Sequence, residues 1–447
     1  MEINWVAFFI VLVISFLVIL KKDFKYLDAF VFFIPFNATV VFFTPDKTAV
    51  NLPFTLFFLA VLAYFFRRIF HSKFIIPKDK MTTTTWLLTI GLIAIISQIM
   101  PFIIDGSFMV LDRYKETVYW AVEEPLYPSM QWFTQTIYLL IGLFVVFLIS
   151  VTYKTVDDIK KVLKLLLSGI TFMVLWGWFG DLTYFLNIPY PQFFNHIGMY
   201  EFGVAKEAFN GFPRMVSVTM EASYFAQILI PITPYFYWFH QQEKAFIFNK
   251  KFHKRMYILC LITLPIAITT TGVLGFFVLT GLWLINNIRF FSKRSKYFLI
   301  TLYAILLFVA IGFAVNYIVQ VSGTYSGIER FKTVDYGARY FISYPILGLG
   351  FGVFPTYDLL INLLVNFGLI GTFPFCILMY NVFNKLRSRI KNTSLENLSL
   401  FKAGKESFLL IIIVSQLSGF IYHSQYFWLY VGIAISIGAL KTKKNYL

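Results

Sequence analysis

TYDLLINLLVNFGLIGTFPFCILMYNVF, residues 356–383, decides the fold. As a helix it is long enough to cross the roughly 30 Å hydrocarbon core of a bilayer. Polar residues gather at its start, where Asp358, Asn362 and Asn366 are spaced by four and lie on one stripe. In hydrocarbon such a stripe has to face the bundle interior or a water-filled cavity.

Working outward, apolar runs of similar kind recur at about 4–20, 27–43, 52–66, 85–104, 131–151, 162–180, 216–239, 256–270, 273–289, 297–319, 407–422 and 425–440. With 59% hydrophobic and 13% charged residues among 447, the chain has too little polar surface for a soluble protein of this size. The reading is an all-α integral membrane protein, a polytopic bundle of about 12–14 transmembrane helices forming one domain over 1–447, with two larger outer loops at 181–215 and 320–355.

The net charge of +16 is an orientation signal, because alternate intervals between the spans hold 30 and 8 of the 38 Lys and Arg residues. By the positive-inside rule the first set is cytoplasmic, which puts the N-terminus outside and the C-terminus inside. Nucleic acid is therefore excluded as the partner of this charge. Lys21, Lys22 and Lys25 follow the first apolar run, so that run reads as a retained N-out helix and not as a cleaved leader. Cys260 and Cys376 each lie inside an apolar run and offer neither a disulfide scaffold nor a thiolate cluster.

The candidate chemistry gathers on the outer side. The stretch from Gln320 to Pro355, QVSGTYSGIERFKTVDYGARYFISYPILGLGFGVFP, carries Arg330, Lys332 and Arg339. Arg330 and Arg339 are nine residues apart, pointing to opposite sides of any one helix, so a shared ligand requires this loop to fold back. In PRMVSVTMEASYFAQ, Pro213 suits the first position of a helix on which Arg214, Ser217, Glu221, Tyr224 and Ile228 share one face. Glu221 then sits about 10 Å deeper than Arg214, where a carboxylate has to meet protein or water. Asp105, Asp112, Arg113, Glu123 and Glu124 stand among aromatics in the interval 105–130, either as a sugar-stacking surface or as an interfacial belt, the belt reading being preferred. His423, in the last outer turn, is a minor candidate.

No His/Cys/carboxylate set has metal-ligand spacing, and no nucleophile elbow is present, so neither metal nor cofactor is expected. Arginine suits phosphate because its planar fork donates two bonds and keeps its charge. Facing outward, the natural phosphate ligand is a lipid-linked one, with its diphosphate on Arg214, Arg330 and Arg339 and with Glu221 or Asp358 as general base on an acceptor hydroxyl.

The same residues carry a resemblance. PRMVSVTMEASYFA resembles the Arg…Glu–small–x–Phe–Ala segment of the O-antigen ligase and polymerase superfamily. The arginines of 320–355, the P-x-x-G-x-G-x-G from Pro345 to Gly352, and LINLLVNFGLIG from Leu360 to Gly371 are similar to that family's large outer loop and following helix. The resemblance covers roughly residues 205–375. It implies a GT-C-like bundle in the bacterial inner membrane and metal-independent, inverting glycosyl transfer from an undecaprenyl-diphosphate-linked glycan. Membrane lipids, a flippase and a chain-length regulator are the partners it implies.

Two departures matter. Thr270, Thr271 and Gly272 stand where many members have Ser-Arg-Gly, and Tyr357 and Asp358 stand where ligases have a His-Asn pair. The second tilts the reading towards a Wzy-type polymerase of surface polysaccharide (O-antigen, capsule or exopolysaccharide), with Ser217, Tyr357 and His423 as supporting residues. The alternatives are a ligase that moves finished glycan to another acceptor, and a lipid-linked oligosaccharide flippase. A flippase needs charge at mid-membrane depth on several helices, whereas this sequence places it in two outer loops and at helix mouths.

Overall fold

From Leu359 on, the stretch 356–383 does form a helix, and it is broken by Gly368 (φ 60°, ψ −165°). The computed structural model describes residues 3–21, 25–43, 49–71, 81–111, 123–191, 194, 208–209, 212–242, 245–321, 325–418 and 424–440. In chain order the helices are α1 (Trp5–Leu20), α2 (Tyr26–Phe33), α3 (Leu52–His71), α4 (Met81–Ser97), α5 (Met100–Ile104), α6 (Met130–Thr152), α7 (Val156–Phe185) and α8 (Ala222–His240). There follow α9 (Lys250–Ile266), α10 (Thr270–Asn287), α11 (Lys293–Val321), α12 (Tyr325–Ser343), α13 (Leu359–Lys391), α14 (Leu395–Ser418) and α15 (Gln425–Ala439). Three two-stranded antiparallel ribbons, β1 (Val40–Phe43) with β2 (Ala49–Asn51), β3 (Met109–Leu111) with β4 (Glu123–Pro125), and β5 (Ala208–Phe209) with β6 (Phe212–Pro213), lie between helices.

The fold is that of an all-α membrane protein. Five helical stretches among the described residues are long and apolar enough to cross a bilayer: Met81–Ile104, Met130–Thr152, Val156–Phe185, Thr270–Phe290 and Leu359–Lys391. The shorter apolar helices are Trp5–Leu20, Leu52–Phe66 and Gln425–Ala439. Not every hydropathy span is a single helix. The clearest case is 27–43, whose helix stops at Phe33 before Pro35 and Asn37, the chain then turning into the β1–β2 ribbon. Hydropathy is blind to such a stop, because Pro and Asn break a helix without making its surroundings polar.

Two further expectations are corrected. The 320–355 stretch is not a folded-back loop: α12 occupies 325–343, and the glycine segment after it is irregular. The helix expected from Pro213 begins only at Ala222, since Pro213 ends β6 and residues 214–221 form turns with Ser217 at φ 58°.

The core is built around α8, which packs against α14, α9 and α10, while α15 packs against α6. Trp428, Tyr235, Tyr430, Phe225, Phe236 and Phe239 fill it. One end of the bundle collects cations: Lys402 lies over Trp238, Arg389 Nε donates to Gly438 O at 3.2 Å, and Lys160 lies over Phe246. There Asp28, fully buried, accepts from Lys161 Nζ (2.8 Å), Tyr153 Oη (2.7 Å) and the Lys25 amide (2.9 Å), which pins the short α2 to α7. A carboxylate so completely bonded is a structural lock.

At the other end the segment 344–357 plugs the break in α13. Around Gly368, Leu369 N and Ile370 N bond Pro345 O and Ile346 O at 2.8 and 3.1 Å, and Val365 O accepts from Leu349 N at 2.8 Å, so the plug replaces bonds the helix gives up. The polar stripe completes the seal. Asn366 pairs with both backbone groups of Phe354, accepting from its N and donating to its O at 2.9 Å each, and Asn362 Nδ2 donates to Thr356 O at 3.1 Å. From α4, Ser97 Oγ accepts from Phe351 N (3.1 Å) and Gln98 Nε2 donates to Phe351 O (2.6 Å). The stripe therefore faces the protein interior and is occupied in holding backbone.

Asn366→Leu is expected to destabilise the fold by about 3 kcal/mol, because it strands two buried backbone groups at roughly 1–3 kcal/mol each. Thermal unfolding in detergent checks this. A melting point equal to wild type would mean that Phe354 finds other partners.

Candidate functional site

The mouths of α8, α13 and α15 meet the middle of α12 at the end opposite the cation-rich one. Glu221 is the residue before α8, exposed, with no capping bond of its own, and its Oε2 accepts from Ser223 Oγ at 2.9 Å. It sits at a helix mouth and not two turns inside a span, so its charge needs no internal partner. One turn on, Tyr224 meets Tyr426 of α15 edge to face at 6.4 Å, and the Tyr426 hydroxyl donates to Gln227 Oε1. Both tyrosines lie within electrostatic reach of Glu221, and Tyr224 also of Tyr357.

Arg330 comes to this cluster from α12. Its guanidinium lies 5.5 Å from the centre of the Tyr357 ring, within cation–π range, and its Nε is buried without a hydrogen-bond partner among the described residues. A buried, permanently charged donor left unpaired is costly, which marks it as poised for an acceptor that binds there. The result is a chain of neighbours, Arg330, Tyr357, Tyr224 and Glu221, with Tyr426 and Gln227 beneath. α12 is held in place by Tyr340, whose hydroxyl accepts from Leu111 N (3.1 Å) and donates to Glu123 Oε1 (3.4 Å). Burial pushes the Tyr340 phenol well above its ordinary pKa, so it stays a donor.

The other sequence candidates are placed differently. Asp358 is buried at the start of α13, its Oδ1 accepting from Ile361 N at 2.6 Å and its Oδ2 from Thr356 Oγ1 at 3.1 Å, which makes it a helix cap. Arg339, nine residues after Arg330 on the same helix, points to the opposite side about 13 Å further along. It is 68% exposed and pairs with Asp335 at 2.7 Å. Arg214 is half-buried in the turns before α8. Ser217 is buried and donates to Met173 O at 2.5 Å, fixing the turn. His423, Asp112 and Arg113 lie outside the described residues.

Tyr426 and Gln227 carry no mark in the sequence, and Tyr224 appears there only as one residue of the face that runs from Arg214 to Ile228. The nearest thing to a mark for Gln227 is an amide in an apolar helix three residues after a tyrosine. Glu406 is buried on α14 and accepts from Asn286 Nδ2 at 3.0 Å. Among the described residues no three His, Cys, Asp or Glu side chains converge as a metal site. Searches against family models and against curated proteins find no match to this chain.

Proposed function

We propose that the protein is a glycosyltransferase that polymerises polyprenyl-diphosphate-linked repeat units into a surface polysaccharide. The observation that carries this reading is the placement of Arg330, whose buried Nε has no hydrogen-bond partner among the described residues, across Tyr357 and Tyr224 from the exposed carboxylate of Glu221. A guanidinium beside an aromatic wall suits a sugar diphosphate: the fork takes phosphate oxygens and the rings stack on the sugar. In the reaction the acceptor hydroxyl attacks the anomeric carbon, the bond from that carbon to the diphosphate oxygen breaks with inversion, and the proton passes to Glu221. The diphosphate leaves with the bonding pair, its charge stabilised by Arg330.

Glu221 is preferred over Asp358 as base because the Asp358 oxygens are committed to the α13 cap. Asn caps a helix as well as Asp does, so Asp358→Asn should keep both fold and activity, whereas Glu221→Gln should slow turnover by about 10²–10⁴-fold. The reverse pattern would hand the base to Asp358. The purified protein, given lipid-diphosphate-linked repeat units, should produce a ladder of chain lengths on a gel. A protein that makes no ladder yet moves the unit across a vesicle bilayer is a flippase, and the proposal fails.

A further inference from the structure

α12 presents three kinds of surface. Thr333, Gly337 and Tyr340 are buried, Gly337 against Ile361 and Thr356, and Tyr340 edge to face with Phe354 at 5.0 Å. Lys332, Asp335 and Arg339 are exposed and charged, Asp335 and Arg339 being an ion pair at 2.7 Å. The third surface is apolar. Phe331, Val334 and Ile342 are exposed, with Ala338 between them, and their spacing of three, four and four puts all four residues on one stripe.

Two spanning helices measure where the bilayer ends. Lys385 opens the run of cations that closes α13, and roughly 30 Å of hydrocarbon takes about 20 helical residues, which brings the opposite boundary to about residue 365, next to the break at Gly368. α4 begins at Met81, after Lys78 and Lys80 in the sequence, and the same length reaches about as far as Pro101. Both points meet the segment that follows α12. Leu369 N and Ile370 N bond Pro345 O and Ile346 O, and Gly350 packs on Pro101, where a Cβ would stand 2.9 Å from the proline Cδ. The C-terminal end of α12 is therefore fixed at the edge of the hydrocarbon. Ile346 is exposed there, and so are Leu369, Ile370 and Phe373 of α13, so an apolar surface runs from the spanning part of α13 through Ile346 to Ile342 and the stripe.

We infer that α12 lies along the bilayer surface at this end, with the stripe of Phe331, Val334, Ala338 and Ile342 among the upper acyl chains and Lys332, Asp335 and Arg339 among the headgroups. The exposed pair of Asp335 and Arg339 excludes a position inside the hydrocarbon, where charges facing lipid are costly. A helix standing out into water would leave the stripe wet over three turns, whereas its continuity with the exposed residues of α13 brings lipid to all of it. Helices with charges on one face and Phe and aliphatic side chains on another seat at a membrane interface in this way. The inference is independent of the proposed transfer chemistry: α12 is positioned by lipid on one side and by α13 on the other, whichever ligand Arg330 takes.

The test is electron paramagnetic resonance of the full-length protein in vesicles of phosphatidylcholine and phosphatidylglycerol. Nitroxide labels are placed on Lys332→Cys, Val334→Cys or Ile342→Cys, each in a background of Cys260→Ala and Cys376→Ser. At the Val334 and Ile342 positions, collisions with molecular oxygen, which concentrates among acyl chains, should exceed those with a water-soluble nickel chelate. The labels there should lie about 5–10 Å into the headgroup and acyl boundary. At the Lys332 position the order should reverse. Phe331→Trp, with the native cysteines kept, supplies a measurement free of labels: the fluorescence it adds over wild type should be quenched by phosphatidylcholine brominated on its acyl chains. Free access of the nickel chelate at Val334 and Ile342 would put the stripe in water. Exclusion of both agents would put protein over it, a segment of this chain or a second copy, and unquenched added fluorescence would deny it acyl contact. Each of these outcomes overturns the inference.

Discussion

Arg330→Ala is expected to abolish chain extension, with a loss of about 10²–10³-fold in turnover, the usual cost of removing one preorganised donor to a developing anion. Arg339→Ala should stay close to wild type. Both residues are arginines of the same helix, and sequence alone treats them as equals. In the structure Arg330 lies over Tyr357 with its Nε unpaired among the described residues, whereas Arg339 is turned outward and paired with Asp335 in an exposed i,i+4 arrangement. Exposed pairs of that kind contribute about 0.3–0.5 kcal/mol. Arg330→Lys keeps the charge but loses the fork, so it should recover only part of the activity. The ladder assay reads all three, and equal losses in Arg330→Ala and Arg339→Ala would remove the basis for placing the diphosphate at Arg330.

The second large effect is on the fold. Gly368→Ala should destabilise by at least about 3 kcal/mol and abolish activity with it. At φ 60° and ψ −165° the backbone of Gly368 lies in a region open essentially to glycine alone. A Cβ there would stand 2.2 Å from Ile346 O and 2.6 Å from Gly348 N. Neither is the end of a flexible side chain, so the contact has no cheap relief. Gly348→Ala meets the mirror problem, with φ 67° and Val365 O at 2.4 Å. The two glycines face each other across the closest approach of the 344–357 plug to the broken helix. Gly371→Ala differs in kind, because Gly371 has no positive φ and the three atoms nearest a Cβ there, at 2.4–2.6 Å, belong to the Phe367 side chain, so the strain is a side-chain clash and not a backbone one. Thermal unfolding of the purified proteins separates the three. Unfolding of Gly368→Ala within a degree of wild type would show that the plug is not held by this contact.

Much of the site at the mouths of α8, α12 and α13 hangs on that plug. Tyr357 ends it and Asp358 follows directly, and the α12 that carries Arg330 leads into it. A lost plug would therefore move Tyr357 away from Arg330 without touching either residue.

The sequence by itself determined the class of this protein. Hydropathy and charge are sums over neighbouring residues, so the apolar helices, their membrane character and the separation of cations were legible from residues such as 356–383 and Lys385–Lys391. So was the glycine segment from Pro345 to Gly352, whose need for close backbone approach is a local property. The tertiary structure alone decided what the polar residues do. Asn362 and Asn366 read as a stripe facing the bundle interior or a water-filled cavity, and the packing decides for the interior, where they complete hydrogen bonds of a segment at Phe354 and Thr356. Glu221 read as a buried charge and is an exposed group at a helix mouth, because turns around Ser217 delay the helix until Ala222. Arg330 and Tyr357 are separated in sequence by the whole plug, and α15 brings Tyr426 from further still. A hydrogen bond or ring contact between distant residues leaves no mark on the local pattern of either, which is why the partners appear only once the helices are packed.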